Sequence, residues 1–202
     1  MMKKLILPFA ALILFSFAAD SEKLTEQDRE FMLKHLTETR DHMTKVLDGL
    51  TKKQLNFKPS ENSWSIAECV EHLAVVESVF GGMAHKMVAA DSNPALKDSL
   101  VFKDEQIMTV VTDRSNKVKT SQPFEPSGQF DSLENALQAF LDKRSELIEY
   151  VKTTDDDLRN SFNKDLPFGV VDGVQFLVFA AGHTERHVLQ MEEVMQHVDF
   201  PE

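Results

Sequence analysis

The residues best suited to chemistry are the two imidazoles of His183-Thr-Glu-Arg-His187, set inside an apolar-rich segment over residues 174–198. On a helix, imidazoles four residues apart lie one turn apart on the same face, with Cβ atoms about 5–6 Å apart, within reach of a single metal ion. The stripe Phe176, Ala180, His183, His187, Gln190, Val194 has the spacing of a buried helix face, so the pair points inward. Burying two imidazoles without partners is costly, and a third ligand is expected on another helix. His72 lies on the stripe Cys69, His72, Val76, Val79, Met83 and looks into the same interior. His35 and His42, flanking the apolar side of the first helix, are its rivals. Spacing alone leaves two readings open: one ion shared by three imidazoles, or three core histidines satisfied by hydrogen bonds.

Other groups near this stripe carry weaker signals. In metalloproteases a catalytic glutamate directly follows the first zinc histidine; Glu185 comes two residues after His183, about 200° around the helix, and is expected to point away. Glu68, four residues before His72, fits a general base or, more simply, the reciprocal partner of a helix cap. Cys69 fits a thiolate ligand or a small buried side chain under Trp64. Arg144 interrupts an apolar stripe, which suits a buried ion pair or a planar fork aimed into a cavity to hold an anionic substrate group. Gln190, one turn beyond His187, suits a group that orients a ligand or a bound water, or ordinary polar packing. His85 and His197 fall on the outer faces of their helices.

The elements that must position these groups are helical. Thr25-Glu-Gln-Asp28 opens a first helix over about residues 25–49, with Gly49 at its end, and Asn56-Phe-Lys-Pro-Ser-Glu-Asn-Ser63 is a polar loop. Ser65-Ile-Ala-Glu68 is a capping box opening a second helix that runs to about Ala90, loosened at Gly81-Gly82, with Trp64 packing on Cys69 as a hydrophobic staple. Residues 91–130 lack strong periodicity apart from a short helix over residues 103–112. A connection of that length suggests a crossover along the bundle. Asp131-Ser-Leu-Glu134 opens a third helix carrying Leu133, Leu137, Phe140, Arg144, Leu147 and Val151 on its core face, and Asp155-Asp-Asp157 ends it in a solvated acidic loop. Asp172 caps the fourth helix. With no convincing strands and no internal repeat, the expected fold is all-α, a four-helix bundle with a long crossover between its second and third helices.

Composition narrows the function classes. Met1-Met-Lys-Lys4 followed by an apolar run over residues 5–19, with Ser16-Phe17-Ala18 before a cut, reads as an export signal over residues 1–18 and a mature domain over residues 19–202. The run is short for a membrane span of about 20 residues. Loss of Lys3 and Lys4 takes the formal charge from −11 to about −13, which argues against nucleic acid or an anionic bilayer as partner. The single cysteine, Cys69, forms no internal disulfide, so stability comes from packing. A small-molecule substrate is the expected partner, with a homodimer through an exposed helix face as the second expectation.

Three stretches carry a family resemblance: Asn62-Ser-Trp-Ser-Ile-Ala-Glu-Cys-Val-Glu-His72-Leu, Phe140-Leu-Asp-Lys-Arg144, and Gly182-His183-Thr-Glu-Arg-His187-Val-Leu-Gln190. Across the mature domain the chain resembles the DinB-like superfamily of metal-binding four-helix bundles. The resemblance implies a divalent ion, zinc or nickel, held by His72, His183 and His187. It also implies chemistry of the kind described for bacillithiol transferases and mycothiol-dependent maleylpyruvate isomerase. An export signal departs from that pattern, because those thiol cosubstrates are cytosolic. The expectation is an exported metal-dependent enzyme, a hydrolase in the first instance, a thiol-dependent transferase or isomerase in the second, with a non-catalytic metal- or ligand-binding module as the alternative class.

Overall fold

Each long helix starts where a short polar side chain takes up the free N–H groups of its first turn. The structure is a computed structural model that describes residues 24–115 and 118–202; the expected export signal lies outside the described residues. In chain order the helices are α1 (Glu26–Leu47), the single turn α2 (Lys52–Leu55), α3 (Ile66–Ala89), α4 (Asp104–Thr112), α5 (Leu133–Thr153) and α6 (Gly173–Met195). Thr25 with Asp28, and Ser65 with Glu68, form reciprocal capping boxes, and the Asp172 carboxylate accepts from the Gln175 N–H at 2.8 Å. The α5 cap falls one residue later than expected. Ser132 accepts from the Asn135 N–H, while Asp131 takes a left-handed φ of 61° in the preceding turn.

The four long helices pack as a ring in which α1 and α3 each lie against both α5 and α6. Helices that follow one another closely in the chain, α1 then α3 and α5 then α6, therefore sit across the bundle from each other. α3 and α5 are neighbours that run parallel, Glu77 and His85 of α3 lying beside Arg144 and Tyr150 of α5, so the chain must return along the bundle between them, and the long connection does this, as the sequence suggests. The short helix expected over residues 103–112 is α4, and it belongs to the core: Ile107 and Val111 are buried, and α4 packs on α6 at Gly182, where a Cβ would lie 3.1 Å from the Val111 Cβ. Ahead of α6, a two-residue antiparallel ladder pairs Phe162 with Asp172 and Asn163 with Val171. The glycines do not loosen α3, which runs unbroken through Gly81-Gly82.

The core is two apolar clusters separated by one polar layer. Met32, Leu36, Phe80, Leu147, Phe176 and Ala181 belong to the first cluster; Met43, Cys69, Leu73, Phe140, Val188 and Met191 belong to the second. Between them each long helix contributes one polar residue: Thr39 from α1, Glu77 from α3, Arg144 from α5 and Thr184 from α6. Arg144 is fully buried, and its Nε and Nη2 reach the two Glu77 carboxylate oxygens at 2.5 and 2.9 Å. Its remaining donors go to the Leu36 carbonyl at 3.0 Å, Thr39 Oγ1 at 2.9 Å and Thr184 Oγ1 at 2.7 Å. All of the guanidinium's donors are thus committed inside the protein. The substrate-binding role considered for Arg144 is corrected to that of a buried ion pair, the other role its position allowed.

At one end of the bundle Arg159 draws three helix starts together, bonding Asp28 of α1, Asp104 of α4 at 2.7 Å and the α6 cap Asp172 at 2.8 Å. Carboxylates at helix N-termini also meet the positive end of the helix dipole.

Replacing Arg144 alone strands Glu77 as an unpaired charge in the dry interior, which costs about 3–5 kcal/mol. Urea unfolding of Arg144→Ala should show a loss of that size, and combining Arg144→Met with Glu77→Leu should recover most of it.

Candidate metal centre

His72 on α3 and His183 and His187 on α6 come together at the polar layer. One ligand atom from each lies within 4.8 Å of the others. The Nε2 atoms of His72 and His183 are 3.0 Å apart, and the three ring centroids are 4.5–5.3 Å apart. The third imidazole expected on another helix is therefore His72. Neither rival joins the group. His42 puts Nδ1 against Glu185 at 2.9 Å and Nε2 against Glu192 at 3.3 Å, while His35 packs edge-on to Phe31. Glu185 points toward His42 and away from the three-histidine group, as its spacing predicts.

Hydrogen bonds behind the rings decide which nitrogens face the centre. The Phe124 backbone carbonyl, 2.7 Å from His72 Nδ1, can only accept, so His72 carries its proton on Nδ1 and turns the Nε2 lone pair inward. Gln190 Oε1 does the same for His187, 3.1 Å from Nδ1, and also receives Arg114 Nη1 at 3.4 Å. This is the orienting position the sequence suggests for Gln190. Aromatic rings wall the group: Trp64 lies 5.0 Å from His72 and stacks on His187 at 5.8 Å, and Phe80 meets His183 edge-on at 5.4 Å. His72 and His187 are buried; His183 keeps some exposure as a whole residue, while its imidazole lies deep enough for burial to dominate its pKa.

The donors fit a divalent ion. Imidazole nitrogens bind zinc at about 2.0–2.1 Å, which in a tetrahedral arrangement sets them about 3.3–3.4 Å apart, between the 3.0 Å contact and the 4.8 Å outer limit seen here. A bare lone pair on His72 facing another ring nitrogen at hydrogen-bond distance calls for a cation or a proton between them. Burial holds all three rings in the neutral form that binds metal. The His183 pKa is pushed down to about 3 by burial, with smaller contributions from His72, Arg186 and Arg144. His187 is driven well below its ordinary value by burial and by its two neighbours, and His72 is lowered by burial against the opposing effect of the Phe124 carbonyl.

The remaining candidates have structural roles. Glu68 accepts from the Ser65 N–H in the capping box and pairs with Lys58. Cys69 is buried in the second apolar cluster, and burial raises its thiol pKa to about 12, so it stays protonated. His85 packs against Tyr150, and His197 against Phe57, both away from the centre.

A family model described as the DinB superfamily matches residues 35–191. The chain belongs to the DinB superfamily. A curated relative, the uncharacterized protein YuaE of Bacillus subtilis (strain 168), is 29% identical over 160 residues, spanning 76% of this chain and 90% of its own. Among solved structures, YfiT from Bacillus subtilis, described as a probable metal-dependent hydrolase with an unusual four-helix bundle topology, matches with a TM-score of 0.53 at 14% identity. That match covers 89% of this chain and 93% of YfiT, and at such low identity it shows a shared fold. In this DinB-superfamily chain the helix order around the ring departs from a simple up-and-down bundle in the way already described.

Sequence reasoning identified the three histidines but missed parts of what surrounds them. Trp64 was placed as a staple over Cys69; it packs in that cluster and also walls the centre. The Phe124 carbonyl left no trace in residue identity. Arg186, inside the matching stretch, bonds the Val111 carbonyl at 3.1 Å and the Asp113 carbonyl, closing the C-terminal end of α4.

Because the folded pKa values of these imidazoles lie below 6.5, the unfolded chain takes up more protons as pH falls, and the folded state loses stability. For metal-free protein the unfolding free energy should be level between about pH 7 and 8 and decline from there toward pH 3. Urea titrations at several pH values measure the decline, which should be shallower when the three histidines are replaced by alanine.

Proposed function

We propose that His72, His183 and His187 hold one divalent ion, zinc or nickel, and that the protein is a metal-dependent hydrolase acting on a small molecule. The observation that carries this reading is the convergence of the three imidazoles, with the Nδ1 protons of His72 and His187 spent on outward acceptors. Three protein ligands leave a coordination position for substrate, the pattern of a catalytic rather than a structural ion. When bound, the ion would supply Lewis-acid polarisation of a substrate oxygen and a lowered pKa for a water or thiol. The protein's own groups bind and orient: the Phe124 carbonyl and Gln190 fix the ring tautomers, and Trp64 and Phe80 exclude water. No carboxylate joins the histidine group among the described residues, so the ion's charge is not offset by a neighbouring anion.

That same absence favours a second reading, thiol transfer. A thiol with a pKa near 8.5 needs far less help to ionise than water, so a centre without a nearby carboxylate base suits it. A binding module that retains a ligand without turnover belongs to the other class. Export is part of the proposal and rests on the charge and hydropathy pattern of residues 1–18; it is supported if the secreted or periplasmic protein begins at Ala19 by intact mass, and abandoned if Met1 is retained in the cytoplasm.

Elemental analysis of dialysed protein should find about one equivalent of metal, and replacing His183 and His187 together by alanine should abolish it. Retained stoichiometry in that variant refutes the site. A panel of esters, amides and thiol–electrophile pairs separates the readings: metal-dependent hydrolysis supports the first, thiol consumption the second, and tight ligand retention without product the binding module.

A further inference from the structure

The residue immediately before His72 holds the segment that fixes His72. Glu71 Oε1 accepts three consecutive backbone N–H groups, from Ser127 at 2.9 Å, Gly128 at 2.7 Å and Gln129 at 3.1 Å. Successive N–H groups converging on one oxygen form an anion-binding nest, which needs a left-handed residue in the turn. Gly128, with φ of +77°, supplies it. Three residues earlier on the same segment, the Phe124 carbonyl accepts from His72 Nδ1 at 2.7 Å. Glu71 and His72 stand on the same turn of α3, so the segment is gripped at two points by adjacent residues of one helix.

The geometry points to Glu71 as a positioning residue: by seating residues 127–129 in its carboxylate nest it sets the Phe124 carbonyl against His72 Nδ1, and so decides which His72 nitrogen is presented to the metal. Glu71 itself does not touch the ion. Phe124 is also held by the 3₁₀ turn Gln122–Phe124 and by packing on the first apolar cluster; the nest adds the grip beside His72, and once the carbonyl withdraws from Nδ1, His72 is free to carry its proton on Nε2, the atom that must bind. Outer partners of this kind commonly change metal affinity by about 10–100-fold. The negative charge matters because three donors share one oxygen, and hydrogen bonds to an ionised acceptor are about twice as strong as those to a neutral one.

The affinity part of this inference rests on the metal reading above; the tautomer part does not. In metal-free protein with 15N-labelled histidine, NMR should show His72 as the Nδ1–H tautomer, and Glu71→Ala should convert it to a mixture with Nε2–H. Competition titration with Zn2+ against a chromophoric chelator should find Glu71→Ala about 10–100-fold weaker and Glu71→Gln intermediate, since the amide oxygen still accepts but without the charge. Gly128→Ala, which strains the nest through φ while leaving Glu71 in place, should shift both readouts in the same direction, and it serves if Glu71→Ala does not fold. An unchanged His72 tautomer in folded Glu71→Ala and Gly128→Ala protein overturns the assignment. If the wild-type protein binds neither Zn2+ nor Ni2+ while Glu71→Ala still changes the His72 tautomer, the metal reading falls and Glu71's positioning role stands.

Discussion

The buried Arg144–Glu77 pair is the constraint on which the remaining geometry depends. It lies between two apolar clusters, and its hydrogen bonds reach all four long helices through Leu36, Thr39, Glu77 and Thr184. Apolar contacts are non-directional and tolerate a helix sliding along its neighbour. A guanidinium with every donor committed does not: moving any helix by one residue, about 1.5 Å, strands a polar group in a dry interior at a cost of about 1–3 kcal/mol. Buried ion pairs contribute little net stability over well-packed apolar replacements, so the weight of this one falls on axial register. A coordination triangle drawn from two helices needs that register. His183 is the immediate neighbour of Thr184, and His72 stands five residues before Glu77, so the layer that locks α3 to α6 also sets the heights of the three imidazoles.

The centre is assembled from neutral donors in a protein of formal charge −11. Carboxylates elsewhere are used at helix starts, in Asp28, Glu68, Asp104 and Asp172, where dipoles and Arg159 or Lys58 meet them. None is brought to the histidine group among the described residues. Such segregation has a chemical consequence: an ion bound by three neutral imidazoles keeps its full charge for substrate polarisation, whereas each carboxylate ligand would subtract from it. Burial supports the same end by keeping the imidazoles deprotonated, and the aromatic wall of Trp64, Phe80 and Phe179 lowers the local dielectric without competing for coordination.

What the sequence made legible was local. Capping at Thr25, Ser65 and Asp172 depends on residues three apart, and the pairing of His183 with His187 on residues four apart, so both could be read directly; the crossover followed from the length of residues 91–130. What it hid was long-range or backbone-borne. Thr51 and Gln54 form a capping box for α2 in a stretch read only as the end of α1. At α5, Asp131 and Ser132 are both good caps, and the choice fell to Ser132 because Asp131 was needed in a left-handed turn. Arg144 could be seen as anomalous, but whether its fork met a carboxylate or open space depended on Glu77, 67 residues away. A main-chain carbonyl such as that of Phe124 has no residue-type signature, and the Glu71 nest becomes visible only once Gly128 is folded against α3.

The segment between α4 and α5 completes the site through residues one step from the three histidines. Consecutive helix positions point about 100° apart, so the residue before an inward-facing histidine stands on the helix flank, able to hold neighbouring chain without facing the histidine group. Arg186, before His187, secures the end of α4 at Val111 and Asp113, aided by Arg114, which bonds the Arg186 carbonyl at 3.3 Å and Glu193 at 2.7 Å. Cations there also meet the negative end of the α4 dipole. Glu71, before His72, secures residues 127–129 at the other end. The two anchors use opposite charges for opposite backbone groups, a guanidinium for carbonyls and a carboxylate for N–H groups. A connection that is long and weakly periodic is thereby fixed at both ends against the two helices that carry the histidines, and the Phe124 carbonyl between those anchors reaches His72.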